Sequence, residues 1–340
     1  MKKKWIKRII LLVLIVFLVG FGIYKLVSKN SKGIKSQVNE VTENLNAYHM
    51  EANMEFHNGD DLREYLVKVS YKKDGSTPLF RVSLFDKGVN QEQIIIRNKN
   101  GVYVLTPALN QVYKFKGDWP LNGAKPYLYQ SMLDVFKGKY ELSKLKDGYV
   151  ITSTPSYKNS PNWTKQEMKM TTQLKPIWVH IYDKDNNIAV KVTFIKVEFD
   201  PTFAENYFEV SDNMTQARSE LTTTTTSTIS DLPLYPTNAI ISATLKEQSV
   251  IQVGDMTQHI LTYEGEEAFT VVQHILESYD EMVITEVSGE LIEIAGNVGI
   301  LNTQQLVYEY NGVSYHIYSD KLSASQLVEL ALGMEVVAIK

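Results

Sequence analysis

The stretch QEQIIIRNKNGVYVLTPALNQVYKFKGDW, residues Gln91–Trp119, decides the fold that we predict for this chain. It holds three runs rich in β-branched and aromatic residues, at Ile94–Ile96, Val102–Thr106 and Val112–Phe115. Short connections rich in Asn, Gly and Pro separate these runs, a pattern typical of antiparallel strands joined by tight turns. The middle run is apolar at consecutive positions, which indicates a strand that is covered on both faces.

The strand pattern continues on both sides of this stretch. Apolar and polar residues alternate over Met50–Phe56 and again over Tyr65–Tyr71, as in half-buried strands. Further strands are predicted at 80–84, 149–152, 167–172, 176–182 and 189–199. Apolar residues spaced by three and four predict two helices, over Ser36–Tyr48 and Ala124–Phe136. Residues 36–215 therefore read as one mainly β domain, a curved sheet or open barrel with helices covering its mouth.

A second, smaller domain is predicted beyond a threonine-rich linker. We place the linker at 216–231, because the run LTTTTTSTISD has no apolar periodicity. Residues 232–340 then contain several short strands, the hairpin dipeptide Asn311-Gly312 and one terminal helix over Ala324–Leu332. Ser323 and Gln326 have the spacing of a capping box at the start of that helix. The domain is predicted to be a small α+β unit.

The N-terminal segment, residues 1–35, carries nine basic side chains and no acidic one. Ile9–Tyr24 is an uncharged run of sixteen residues, and Leu26 and Val27 extend it to the length of a bilayer span. This predicts an uncleaved single-pass membrane anchor with the domains outside the cell membrane; a cleaved signal peptide is the alternative.

Charge and composition exclude several classes of function. Residues 232–340 hold three lysines, no arginine and fifteen acidic residues, which argues against nucleic acid as a partner. A basic partner and a plain solvated acidic surface both remain open. The absence of cysteine excludes thiol nucleophiles, zinc–thiolate sites and a lipidated N-terminal cysteine.

Motifs for catalysis or for binding of metals and cofactors are missing from the sequence. The six histidines have no metal-ligand spacing, and Asp183, Asp185 and Asn187 lack the glycine and glutamate of a calcium loop, so a hairpin turn is the better interpretation. The chain has no nucleophile elbow, no phosphate-binding loop and no dinucleotide fingerprint. We therefore predict no catalytic residue, no cofactor and no metal.

Aromatic side chains on the predicted strands are the candidate functional residues. In an open curved sheet, an inward-facing set could line an apolar cavity that holds an acyl chain or a peptide; the alternative is a filled core. The candidates for the cavity lining are Tyr65, Tyr103, Tyr113, Phe115 and Trp178. Alternation along a strand leaves open which of two neighbouring residues faces inward.

Five segments carry a family resemblance: Met50–Met54, Gln93–Asn98, Gly101–Asn110, Asp118–Pro120 and the ending around Phe199–Phe208. They resemble the LolA-like sporulation proteins of spore-forming Firmicutes, the branch that includes the YdcC and GerS types. The resemblance covers about residues 36–215. The second domain resembles a small domain of unknown function that is found in exported Firmicute regulators and sporulation proteins.

This resemblance implies a strongly curved, unclosed antiparallel sheet, the LolA-like half barrel, with helices on its concave side and no catalytic residues. For the GerS type it implies a protein partner, the spore-cortex N-acetylmuramoyl-L-alanine amidase, and a role in the cortex modification needed for germination. A lipid or lipoprotein carrier and an RseB-like regulator that binds an anti-sigma factor are the alternatives. Since no lipobox cysteine is present, the predicted membrane span would replace a lipid anchor.

Overall fold

The computed structural model describes residues 33–58, 61–117, 119, 124–157, 162–221, 232–237 and 242–335. The predicted anchor at 9–27 and most of the predicted linker lie outside these residues. Within the described ranges, no helix combines the length and the apolar character that a bilayer span requires.

The chain is mainly β, and its first eleven strands form most of one large antiparallel sheet. In chain order the strands are β1 (Ala47–Asn58), β2 (Asp61–Lys72), β3 (Leu79–Asp86), β4 (Gln91–Asn98), β5 (Gly101–Thr106), β6 (Gln111–Phe115), β7 (Tyr140–Lys144), β8 (Gly148–Ser153), β9 (Trp163–Thr171), β10 (Pro176–Asp183) and β11 (Ile188–Phe199). Their order across the sheet is β6-β5-β4-β3-β2-β1-β11-β10-β9-β8-β7. The two ends of this order do not pair, so the curved sheet is unclosed, as the family resemblance implied.

One face of the large sheet, here called the inner face, packs against two helices. Helix α1 spans residues 33–44 and α2 spans Tyr129–Asp134, followed by a 3-10 turn at Val135–Lys137. Ile34 and Val38 of α1 and Met132 and Leu133 of α2 share one core with the strands. The predicted helix over 36–48 was placed three to four residues too far along the chain, because α1 ends at residue 44 and Tyr48 lies in β1, where it pairs with Tyr71 and stacks on its ring at 5.3 Å.

The predicted meander within Gln91–Trp119 is confirmed as β4, β5 and β6. Val102 and Val104 of β5 point into the main core on the inner face. Tyr103 and Leu105 point to the opposite, outer face and join a second apolar cluster there. The middle strand is therefore covered on both faces, as predicted.

The cover on the outer face is a helix that the sequence pattern did not predict. Helix α3 spans Val210–Glu220 and buries only Asn213, Met214 and Ala217. Met214 and Ala217 pack on Ile94, Ile96, Tyr103, Leu105 and Val112. Val210, which is partly buried, packs on the same cluster, so the three apolar contacts of α3 are spaced by four and three residues. This helical signal is short, and the prediction missed it.

Replacing Met214 with Ala should lower the free energy of unfolding by about 2 kcal/mol. Met214 is 3% exposed and is the largest of the buried side chains of α3, so its truncation leaves a cavity. Urea unfolding monitored by circular dichroism measures the loss. Thr215→Ala, an exposed neighbour on the same helix, should change stability by less than about 0.5 kcal/mol. Equal values for the two variants would mean that α3 is not packed on the sheet.

The second unit, residues 232–335, contributes a separate seven-stranded sheet. The unit as a whole contains the strands β12 (Tyr235–Pro236), β13 (Thr244–Val253), β14 (Met256–Glu264), β15 (Phe269–Ile275), β16 (Val283–Val287), β17 (Glu290–Ile294), β18 (Asn297–Leu301), β19 (Gln305–Tyr310), β20 (Val313–Tyr318) and β21 (Met334–Glu335). The order across the sheet is β13-β14-β15-β20-β19-β18-β17. Strands β12 and β21 form a two-stranded pair of their own. Helix α4 spans Ala324–Leu332, and its predicted Ser323–Gln326 capping box is confirmed.

Two strands of the second unit differ from the sequence-based expectation. Strand β16 does not join the small sheet but pairs in parallel with β6, at the edge of the large sheet. Strand β13 was not predicted, because nearly all of its side chains are exposed and no alternation marks it. The two units are thus joined by backbone hydrogen bonds as well as by side chains.

Candidate functional site

The second unit occupies the inner face of the large sheet, where the sequence suggested a cavity. Leu291, Ala295 and Val298 are buried in the same core as the strands and helices of the first unit. Polar contacts fix this arrangement: the Val298 amide donates to Gln93 Oε1 at 2.8 Å, and the Tyr127 hydroxyl donates to Glu293 Oε1 at 2.6 Å. The inner face of the large sheet therefore packs against the protein's own second unit.

Three of the five candidate cavity residues lie on the inner face. Tyr65 is fully buried, and its ring lies directly against the turn at Gly296. Tyr113 and Phe115 line a cavity of about 20 Å³ together with residues of β18 and β19. A space of that size holds about one water molecule, far less than an acyl chain needs.

The other two candidates lie on the outer face and do not meet the first three. Tyr103 belongs to the apolar cluster under α3, and its hydroxyl donates to the Asn100 carbonyl at 3.2 Å. Trp178 stacks on His180 with ring centroids 4.2 Å apart. Side chains alternate along a strand, so Tyr103 and Trp178 point outward because their neighbours Val104 and Val179 point inward.

Glu309, a half-buried carboxyl group at the edge of the small cavity, has a raised pKa. Glu309 accepts a hydrogen bond from the Tyr113 hydroxyl across the boundary of the two units. Burial raises the pKa of Glu309 to about 7, while the hydrogen bond from Tyr113 acts in the opposite direction. Burial and the Glu309 charge both raise the pKa of Tyr113, so the phenol stays protonated and continues to donate.

Glu309→Gln should remove a pH dependence of stability between about pH 4.5 and 7. Because the folded-state pKa of Glu309 is above its ordinary value of 4.5, the folded chain binds more protons there than the unfolded chain does. Stability from this group is therefore full below pH 4.5 and falls as the pH rises through 7, by on the order of 2 kcal/mol after allowance for partial exposure.

Urea unfolding of the wild type and of Glu309→Gln at pH 5 and pH 8 tests this expectation. The glutamine keeps an acceptor for Tyr113 but does not titrate, so only the wild type should lose the extra stability at pH 8. An identical change in both proteins would contradict the assignment to Glu309.

The outer face carries an open cleft of about 800 Å³, here called the outer cleft. Its floor is formed by polar side chains of β1 to β4, among them His49, Lys68 and Arg81, and its wall by α3 and the segment before it. Cross-strand pairing of His49 with Ser70 and of Ser70 with Arg81 places these three side chains in one row. A second row, Glu51, Lys68 and Ser83, runs beside it.

A chain of hydrogen bonds crosses the floor of the outer cleft. Glu51 Oε1 lies 3.1 Å from His49 Nε2, His49 Nδ1 lies 2.9 Å from Ser70 Oγ, and Ser70 Oγ lies 2.9 Å from the Tyr207 hydroxyl. Ser70 is only 1% exposed, so its hydroxyl is closed to a substrate carbonyl. The chain therefore orients His49 and Tyr207 and does not form an accessible nucleophile.

The acidic member of this chain is held in its charged form. Burial raises the pKa of Glu51, but the hydrogen bond from His49 and the charges of His49, Lys68 and Lys196 outweigh it, so the pKa lies below its ordinary value. At neutral pH, Glu51 is thus a carboxylate that anchors the His49 ring.

Sequence reasoning missed the outer cleft for an identifiable reason. Alternation on β1, β2 and β3 puts His49, Lys68 and Arg81 on the polar face of each strand. In the sequence, this pattern indicates only solvent-exposed side chains. Only the strand register and the position of α3 show that they form the floor of one concave site.

Comparison with known proteins gives one relative along most of the chain. No family profile matches the chain. It is 29% identical over 310 residues to the sporulation protein YdcC of Bacillus subtilis (strain 168), an alignment that covers 90% of this chain and 91% of that protein. The predicted resemblance to sporulation proteins of the YdcC type is confirmed by this similarity, and it extends over both units.

Solved structures give weaker similarities. The complex of MucA and MucB from Pseudomonas aeruginosa shares 12% identity, covers 89% of this chain and 99% of that chain, and superimposes with a TM-score of 0.32. A putative outer membrane lipoprotein-sorting protein domain from Vibrio parahaemolyticus shares 14% identity, covers 53% and 97% of the two chains, and has a TM-score of 0.29. Superpositions this loose carry no functional information.

Proposed function

We propose that this chain is a non-catalytic sporulation protein that acts outside the cell membrane by binding a partner protein. The observation that carries the proposal is the 29% identity to a sporulation protein over 90% of the chain. Because the alignment spans both units, their shared core on the inner face is expected to be common to the two proteins. The predicted membrane anchor at 9–27 would hold the chain at the membrane surface.

The geometry supports binding on the surface of the molecule. A carrier of lipids or lipoproteins needs an apolar cavity, whereas the described inner face packs against α1, α2 and the second unit and encloses about 20 Å³ beside Tyr113. The outer cleft, at about 800 Å³, is open and lined largely by polar groups. A peptide segment of a partner fits such a cleft better than an acyl chain does.

The partner that we propose is the spore-cortex N-acetylmuramoyl-L-alanine amidase, as the resemblance to the GerS type implies. In this role the chain would support the cortex modification that germination requires. The amidase would supply the catalysis, and this chain would supply a binding surface.

Affinity capture of the full chain from sporulating cells tests the proposal. We expect the amidase in the captured fraction and a reduced muramic-lactam content of the cortex in a deletion strain. Repeated absence of the amidase, together with a normal cortex in the deletion strain, would overturn the proposal. Capture of an anti-sigma factor in its place would favour the RseB-like alternative.

A further inference from the structure

The outer cleft is lined by four carboxylates and by two permanent cations, Arg81 and Lys68. Its four carboxylates all accept hydrogen bonds from neighbouring side chains: Glu51 from His49, Glu92 from Ser83, Asp212 from Ser211 and Asn206, and Glu220 from Gln216. Arg81 and Lys68 are therefore the groups of the cleft that can pair with an anion on a ligand.

Arg81 presents an unused edge of its guanidinium group. Its Nε donates to Asn213 Oδ1 on α3, which fixes the plane of the group beside the wall of the cleft. Within the described part of the chain, Nη1 and Nη2 donate to no acceptor. Two parallel N–H donors on one edge match the two oxygens of a carboxylate.

Lys68 supplies a second positive charge close to this edge. Lys68 pairs with Ser83, and Ser83 lies two residues from Arg81 on the same face of β3. The Cβ atoms of Lys68 and Arg81 are therefore about 7 Å apart. Lys68 is exposed and forms no ion pair within 4 Å among the described residues. Its charge reaches Glu51 only at longer range.

The surroundings of this cationic pair suit a peptide. The Tyr207 ring lies 5.8 Å from the Arg81 guanidinium, and its hydroxyl is oriented by the Ser70–His49 chain. The ring also contacts Phe203 at 4.7 Å, which places an aromatic surface beside the charged pair. Exposed polar side chains of α3, including Thr215, Gln216 and Ser219, line the opposite wall and can bond to a peptide backbone.

We propose that the outer cleft binds a carboxylate on a peptide segment of the partner protein, with Arg81 as the bidentate donor and Lys68 as the second cation. This inference rests on the proposed function for the identity of the peptide, but the cleft's preference for a carboxylate can be tested without the partner.

Titration calorimetry of the full chain with short synthetic peptides provides that test. The probes are acetyl-tetraalanine with a free C-terminal carboxylate, the same peptide as its C-terminal amide, and a doubly capped peptide with one internal glutamate. We expect the amide to bind at least about tenfold more weakly than the free acid, since it lacks the anion that Arg81 recognises. The capped glutamate peptide distinguishes a side-chain carboxylate from a chain terminus; binding of either acidic peptide supports the proposal.

Variants assign the binding to the two cations. Arg81→Lys keeps the charge but loses the two parallel N–H donors, so the free-acid peptide should bind several-fold more weakly. Arg81→Ala should weaken binding of this peptide about tenfold or more. Because Arg81 also holds Asn213 of α3, Lys68→Ala, at an exposed side chain, is the variant that leaves the fold intact, and we expect a loss of about threefold. Lys169→Ala, on the same outer face but outside the cleft, is the matched control and should bind as the wild type does.

Three outcomes would overturn the inference. These are equal binding of the amide and the acid, unchanged binding by Arg81→Lys and Lys68→Ala, and inorganic phosphate binding more tightly than either acidic peptide. Partner capture separates this inference from the proposed function. If the wild type captures no amidase and the deletion strain has a normal cortex, the proposed function fails, whereas equal capture by wild type and Arg81→Lys contradicts only the role of the cleft.

Discussion

Gly296→Ala should destabilise this protein by about 4 kcal/mol, because the added carbon atom strains the backbone and overpacks the core. Gly296 has φ +86°, a conformation that side chains disfavour, and a Cβ there would lie 2.6 Å from two ring atoms of Tyr65. Tyr65 is fully buried in the main core, so its ring has no space to move into. Backbone strain and overpacking each contribute about 1–3 kcal/mol.

Gly254→Ala is the matched control for this variant. Gly254 also has positive φ, +63°, but nothing lies within 4 Å of its added Cβ, so it measures the backbone strain alone, about 1 kcal/mol. Urea unfolding of both variants gives the difference that belongs to Tyr65. The double variant Tyr65→Leu with Gly296→Ala should lose less than the sum of the two single variants, because the shorter side chain relieves the clash. Equal losses for Gly296→Ala and Gly254→Ala would mean that the second unit does not pack on Tyr65.

Glu293→Ala should lower the free energy of unfolding by about 3 kcal/mol. Glu293 accepts a hydrogen bond from the fully buried Tyr127 and lies 3.8 Å from Lys125 Nζ, so its removal leaves two polar groups unpaired at the boundary between the units. The side chains of Lys125 and Glu293 are only 14% and 16% exposed, which limits replacement by water. Burial, together with the Glu293 charge, raises the pKa of Tyr127 and keeps its hydroxyl a donor.

Two further variants define what this interaction consists of. Glu293→Gln keeps an acceptor for Tyr127 and should lose less than Glu293→Ala. Glu286→Ala removes another ion pair between the units, with Lys114 at 3.1 Å, but those side chains are 67% and 36% exposed, so the loss should stay below about 0.5 kcal/mol. A small effect of Glu293→Ala, similar to that of Glu286→Ala, would show that water reaches the boundary between the units and replaces the lost carboxylate.

The sheet could be predicted because its signals are local. The meander from Gln91 to Phe115, the alternation of β1 and β2 and the capping box of α4 each depend on residues close together in sequence, and each is present in the structure. Helix α3 was missed because its local signal is short: only Val210, Met214 and Ala217 of its eleven residues pack on the outer-face cluster, and the rest are mostly polar.

The candidate site was only partly accessible to sequence reasoning. Alternation left open which face each of the five candidates takes; the structure places Tyr65, Tyr113 and Phe115 on the inner face and Tyr103 and Trp178 on the outer face. Nor could alternation show that the inner face is covered by residues far along the chain, as with Tyr113 and Glu309, which are 196 positions apart.

Strands with one apolar and one polar face follow from the residue pattern, because side-chain direction alternates along every strand. What covers each face follows from the three-dimensional packing: the second unit fills the inner face, and α3 turns the polar outer face into a cleft around Arg81. Burial of apolar surface is non-directional, so an apolar face must be covered, but its own residues do not specify which segment covers it.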